Sequence, residues 1–331
     1  MTEPKPPTPE QYARELLDRS NGALVEAIVA IKGEDHREDN PLEVFPKPSE
    51  VRNEDPGLNL NDEQEAKLRA AVSQLGFERP TDEALSDVGL QGAHVIIEGG
   101  QPHKIVAELL MVVEDEAARP KTIVLSASPH RKITNDAEKA SARKQLGQEP
   151  ETEYDVSCSI AAKFIPNFAP HAEEKVLPVG YDIHNNFALV EEPTGQFVEI
   201  GMVGETNVVM MKIDGEAYKD EKGKERRHQP GTAGVLRIIA GASETLGDNE
   251  APLAFVTSGT YQPSRTVDAA RVALETNRVV GVATYGTQRL AEVNGTEIPE
   301  PRRLEQLPGE LHHMANQVAA LERVLESQGN S

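Results

Sequence analysis

Apolar residues near the start of the chain recur at three-and-four spacing. Leu16, Leu17, Ala23, Leu24, Ala27, Ile28 and Ile31 predict a helix over 12–32. The nine residues before position 10 include four prolines and predict an extended or disordered tail. Residues 33–57 are charged and proline-rich and read as a loop. Asn61 or Asp62 can cap a second helix that runs to Leu75 and ends at Gly76.

From residue 93 the pattern changes. AHVIIEGG is an apolar run closed by two glycines, and HKIVAELLMVVEDEAA follows with helical spacing. KTIVLSAS is a second apolar run, and ITNDAEKASARKQLG reads as a helix that Gly147 terminates. The rhythm returns later, with a helix in TAGVLRIIAGASETLG, a strand in PLAFVTSG, a helix in SRTVDAARVALETN and a strand in VVGVATYG. Short, uniformly apolar strands alternating with helices predict an α/β fold with a mostly parallel sheet covered on both faces.

The stretch between the two halves breaks this rhythm. VGYDIHNNFALVEE, QFVEIGMV and NVVMMKIDGEAY look like strands, and KDEKGKERRHQPG reads as a polar turn centred on Gly223. They form either a β-rich insertion or extra strands on the sheet. The expected organisation is a disordered tail (1–10), a helical N-terminal extension (11–90), a core made of 91–150 and 231–300, a β-rich insertion (151–230) and a C-terminal helix (301–331).

The balance of charges narrows the function. With 34 Lys+Arg against 55 Asp+Glu in 331 residues, the formal charge is −21. Such a chain lacks the basic footprint of a nucleic-acid binder and is repelled by anionic membrane surfaces. A single cysteine, Cys158, excludes a disulfide framework and any multi-cysteine metal site. The opening MTEPKPPTPEQYAREL has no basic stretch leading into an apolar run, and no segment approaches the length of a membrane span. A cytoplasmic setting is therefore expected.

The sequence has no GxxxxGK[ST], GxGxxG, HExxH, GxSxG or EF-hand pattern. What remains is a polar turn after each of three apolar strands, and open α/β sheets bind ligands outside the carboxyl ends of their strands. In IIEGGQPHK, Gly99 and Gly100 can admit a ligand, Gln101 and His103 can touch it, and the following helix start favours an anion. In LSASPHRK, Ser126 and Ser128 offer hydroxyls, while His130 and Arg131 offer donors. In FVTSGTYQPSR, Thr257 and Ser258 leave the strand, Tyr261 can stack on a ring, and Ser264 can cap a helix. Arg265 then sits in that helix's first turn, where the helix dipole disfavours it unless it recognises an anion. His103 and His130 are the acid–base candidates, since histidine titrates near neutrality. Each residue also has a plain reading as a turn, a cap or a surface pair. Asp214 and Glu216 share a strand face and read as an exposed pair in preference to a metal site. No metal is expected. Cys158 has no evident base partner and reads as an inert thiol. His312 and His313 read as packing or surface residues.

Taken together, these motifs resemble the SanA/YdcF/ElyC-like bacterial proteins. Gly99 and Gly100 match that family's first glycine turn, Ser126 its second-strand serine and Glu138 its helix acid. Thr232 matches the threonine that opens a later helix. Thr257, Ser258, Tyr261, Pro263 and Arg265 match the last motif. Ala127 stands where the family often has glycine. The likeness covers residues 93–147 and 232–286. It implies a Rossmann-like sheet and a nucleotide or S-adenosylmethionine-type ligand, but names no reaction.

Two readings follow. In the first, the chain binds an anionic small molecule at the strand ends, with or without catalysis. In the second, it is an interaction or scaffold protein whose first and last helices face a partner or a second copy of the chain. Self-association is open in either case.

Overall fold

The computed structural model describes residues 8–46, 60–75, 81–134, 136–147, 149–164, 174–176, 195–203, 205–213, 217–219, 225–227, 231–244, 246–259, 261–295 and 307–329. Helices α1 (Pro9–Lys32), α2 (Pro41–Val44) and α3 (Asp62–Leu75) lead into β1 (His94–Glu98), α4 (Pro102–Glu114), β2 (Thr122–Ala127) and α5 (Asp136–Leu146). The middle of the chain supplies α6 (Glu153–Phe164), β3 (Glu174–Val176), β4 (Gly195–Val203), β5 (Thr206–Ile213), β6 (Ala217–Lys219) and β7 (Glu225–Arg227). Then come α7 (Thr232–Ala242), β8 (Leu253–Ser258), α8 (Gln262–Thr276), β9 (Val280–Tyr285), α9 (Thr287–Asn294) and α10 (Leu307–Gly329).

The main sheet has the order β3-β4-β5-β2-β1-β8-β9. Its five strands β5, β2, β1, β8 and β9 pair in parallel, while β4 and β3 extend the β5 edge antiparallel. This is an α/β, Rossmann-like arrangement. Numbered along the chain, the parallel strands run 3-2-1-4-5, so the winding direction reverses between β1 and β8.

Successive residues in β1 and β2 point to opposite faces, and both faces are apolar. Val95, Ile97, Ile123 and Leu125 join one core with Ile105, Leu109, Val156 and Ile160 of α4 and α6. Ile96 and Val124 join another with Leu236, Ile239, Phe255 and Val272 of α7, β8 and α8. Each fully buried side chain of this size contributes about 1.5–3 kcal/mol.

A third core lies outside the sheet. Leu24 and Ile28 of α1, Leu68 and Val72 of α3, and Leu311, Leu321 and Leu325 of α10 enclose Val267, Ala270 and Leu274 of α8. The two ends of the chain thus form one helical cap over α8. Phe45 is buried in this cap, and its carbonyl faces His312 Nδ1 at 2.7 Å.

Several expectations are corrected. The N-terminal helix starts at Pro9, so residues 9 and 10 belong to it and not to a tail. Proline is tolerated in a first turn, and Thr8 and Gln11 form a capping box. The 33–57 loop contains a 3-10 turn over Glu34–His36 and the short α2, which Asn40 caps. Residues 151–230 are not one β-rich unit: they include helix α6 and the core strand β5. The link after β9 contains α9. Ser264 does not cap α8, because its N-cap is Tyr261, and the Ser264 hydroxyl donates to the Tyr261 carbonyl at 3.0 Å. The strand expected over 179–192, together with Asp214, Glu216 and Gly223, lies outside the described residues.

Candidate functional site

The carboxyl ends of β1 and β2 open onto a cavity of about 170 Å³ beside the winding reversal. Glu98 and Gly99 come from the end of β1, and Ser126, Ala127 and Ser128 from the end of β2. Glu153 opens α6, Gly231, Thr232 and Val235 belong to the start of α7, and Arg265 reaches in from α8.

Local sequence explains how each wall is placed. Glu98 is the first charge after an apolar strand, so it emerges where the buried run stops. Thr152 and Asp155 cap α6 reciprocally, with Thr152 N–H to Asp155 Oδ2 at 2.9 Å and Asp155 N–H to Thr152 Oγ1 at 3.2 Å. That box fixes where Glu153 leaves the helix start. Its carboxyl group lies against Gly99. A Cβ at position 99 would stand 2.6 Å from Glu153 Cδ, so only glycine fits there without a shift. The space that the sequence assigns to a ligand at Gly99 is taken by the chain's own carboxylate.

Ion pairs run along the rim. Arg131 bridges Glu153 and Glu138, the latter at 3.1 Å. Glu153 Oε2 also accepts from the Ser128 backbone N–H at 3.2 Å. Burial pushes the Glu153 carboxyl above its ordinary range, and Arg131 and the Ser128 N–H pull it back. Ser128 Oγ accepts from the backbone N–H groups of His130 and Arg131, each at 3.2 Å, which shapes the turn. Arg265 Nη2 reaches Glu98 Oε2 at 3.4 Å and Nη1 lies 3.9 Å from Asp268 Oδ2. Arg265 Cζ stands 5.7 Å from the centre of the Phe255 ring. Thr232 Oγ1 donates to Glu98 Oε1 at 3.1 Å. Both arginines expected to clamp an anion therefore already hold carboxylates.

The start of α7 is different. Its N-cap is Gly231, which offers no side chain to its first-turn N–H groups. The first helical bond runs from Val235 N–H to the Gly231 carbonyl at 3.0 Å, so the N–H groups of Thr232, Ala233 and Gly234 are the helix's terminal donors. This turn lines the cavity.

Of the residues singled out in the sequence, Gly99, Ser126, Ser128, Thr232 and Arg265 share this one cavity, and Arg131 and Glu138 stand behind its wall at Glu153. Gly100, Gln101, His103, His130, Thr257, Ser258 and Tyr261 do not line it. His103 Nδ1 faces Ser141 Oγ at 2.8 Å, between α4 and α5. Burial and the nearby Lys104 and Lys144 hold its pKa down at about 4. His130 is exposed. The Tyr261 ring carries Lys104 Nζ 5.0 Å from its centre, so a neighbouring side chain lies over the face expected to stack on a ligand. Cys158 is half-buried, and burial pushes its thiol up. The two carboxylates of the cavity, Glu98 and Glu153, escaped the sequence reading. Glu98 was legible as a lone acid closing a buried strand, and Glu153 as the acid inside the Thr-x-x-Asp box.

Among the described residues no group of three or more His, Cys, Asp or Glu is placed to hold a metal ion, and no helix is long and apolar enough to cross a membrane. Comparison with family models, with curated proteins and with solved structures found no match to this chain.

Proposed function

We propose that this chain binds a small anionic molecule at the carboxyl ends of its parallel strands. The observation that carries the reading is the start of α7: a helix with no side-chain cap bond, whose Gly231, Thr232 and Val235 line a cavity that Arg265 also lines. Backbone donors and helix dipole together favour a phosphate or carboxylate there. The position beside the winding reversal is where open α/β sheets take ligands. Four residues that carry the resemblance to the SanA/YdcF/ElyC-like proteins, Gly99, Ser126, Thr232 and Arg265, line the same space, and we extend the proposal to kinship with that family.

The volume limits what fits. Sites for drug-sized ligands measure about 300–1,000 Å³. The cavity of about 170 Å³ holds the anionic end of a nucleotide-type ligand, not the whole of it. The scaffold reading has less support, because the apolar faces of α1 and α10 that a partner would need are buried against each other and α8.

Titration calorimetry with inorganic phosphate, nucleoside monophosphates and S-adenosylmethionine tests the proposal. At least one phosphate-bearing probe should bind the wild-type chain, and Arg265→Ala should weaken it about tenfold or more, as expected for a lost charge-assisted contact. Equal binding by both proteins would remove Arg265 from the site.

A further inference from the structure

A second cavity, of about 770 Å³, lies where the helical cap meets the β9 edge of the sheet. It shares no residue with the cavity at the strand ends. Its volume falls within the range of about 300–1,000 Å³ typical of small-molecule sites. Leu16 of α1, Leu75 of α3, Leu90, Val282 of β9 and Met314 of α10 give it apolar walls. Tyr12 and Val279 line it as well, and they are two of the three large hydrophobic side chains exposed among the described residues. Exposed apolar surface gathered at one concave place marks a ligand site.

Two polar groups of this lining lack partners. Ser20, in the interior of α1, is 1% exposed, and its hydroxyl makes no hydrogen bond. A helical serine can donate to the carbonyl four residues back, but this one does not. Gln262 Nε2 donates to Glu83 Oε2 at 3.2 Å, which fixes the sense of the amide, because a carboxylate only accepts. Gln262 Oε1 is thereby left buried and unpartnered. The arginines of the lining are occupied elsewhere. Arg19 is exposed to water, where an ion pair is worth little. Arg278 donates to the Ala240 and Ala251 carbonyls and to Ser243 Oγ, and it lies in the field of Asp248 and Glu250.

We infer that this cavity is a second binding site, for a compact, uncharged, apolar molecule with one hydroxyl or N–H donor, and that the Ser20 hydroxyl accepts from that donor. Gln262 Oε1 can only accept, so a donor suits both unpartnered groups. The site is independent of the anion-binding reading.

Indole and benzofuran test it. They share one ring shape, but only indole has an N–H to donate. The chain has no Trp, so indole emission can be followed without protein background. Indole should bind the wild-type chain saturably, with its emission shifted to the blue, and benzofuran should displace it. Ser20→Ala places the best helix former in a helix interior and breaks no hydrogen bond, so the fold should stand. It should leave benzofuran within about twofold of wild type and reduce the preference for indole about fivefold, as expected for one neutral hydrogen bond. Val279→Glu, at an exposed position of the lining, should weaken both probes about tenfold by setting a charge against apolar rings. Absence of saturable indole binding, or equal binding by wild type and Val279→Glu, would overturn the site. A preference for indole that survives in Ser20→Ala would take the role from Ser20. Tighter binding of indole-3-acetate than of indole would overturn the uncharged class.

Discussion

At the carboxyl rim of the sheet, polar groups from β1, β2, α6, α7 and α8 converge on open space; in the cap over α8, apolar side chains from both ends of the chain converge on one another. The cap satisfies itself: Leu24, Leu68 and Leu321 are at most 1% exposed. At the rim the charged side chains are paired with one another, while the start of α7 has no side-chain cap bond. The amphipathic first and last helices invite a partner-binding interpretation, yet here most of their apolar residues are buried within the fold, Tyr12 at 39% exposed excepted. Surplus hydrogen-bonding capacity at a strand end is the better guide to function in this chain.

The sharpest way to break that comparison is to hollow the cap. Leu321→Ala removes a fully buried side chain and should cost about 2–5 kcal/mol by urea unfolding. It should leave the oligomeric state, followed by light scattering, unchanged. If it instead splits an assembly at little cost in stability, the cap is an interface and the contrast with the rim fails.

A smaller effect is expected at the rim. Gly99→Ala drives a methyl group into Glu153, which Arg131 and the Ser128 N–H hold in place, and should destabilise the chain by about 1–3 kcal/mol. Adding Glu153→Ala should recover most of that loss, as expected for two residues in contact. Additive losses would show that the two do not share the space.

How much of this was legible in the sequence differs by region. The strands could be read because residues such as Val95, Ile96 and Ile97 are apolar on both faces, and only a strand buried on both sides demands that. β5 was harder. Its run NVVMMKI resembles the other core strands, but it sits among polar, turn-rich sequence and carries an antiparallel neighbour, so its parallel pairing with β2 was hidden. At the site, Ser126 and Arg265 were legible from the polar turns that close the apolar runs of β2 and β8, and Thr232 only through the family resemblance. Glu153 could be read as the acid inside a capping box but not as a neighbour of Glu98, because it lies 55 positions away and joins the same cavity only through the fold. His103 misled for a physical reason: one residue into α4, the ring turns toward Ser141 of α5 and away from the cavity.

The smallest predicted effects concern pH. Asp268 is buried, and desolvation pushes it from its ordinary 3.8 to about 6 against the pull of Arg271 and Arg265. The folded chain therefore holds a proton there that the unfolded chain has lost, and this contribution to stability falls as pH rises between about 4 and 6. His103 acts with the opposite sign. Held at about 4 against an ordinary 6.5, it leaves the unfolded chain with the extra proton, so its contribution rises with pH over much of the same window. In the wild-type chain the two slopes oppose. His103→Gln should expose the falling slope and Asp268→Asn the rising one, each bounded by about 1.4 kcal/mol per pH unit in urea unfolding from pH 4 to 6.5. Parallel slopes in the two variants would contradict the assignment.

On the proposed reading, the open strand ends, and not the cap, are where this chain meets its anionic ligand. Amide chemical shifts recorded by NMR during titration with inorganic phosphate test it most directly. Saturable shifts are expected in the N–H groups of Thr232, Ala233 and Gly234, with smaller changes at Gly99 and Ser128 and none along α1 and α10. Shifts confined to the cap, with the start of α7 silent, would contradict it.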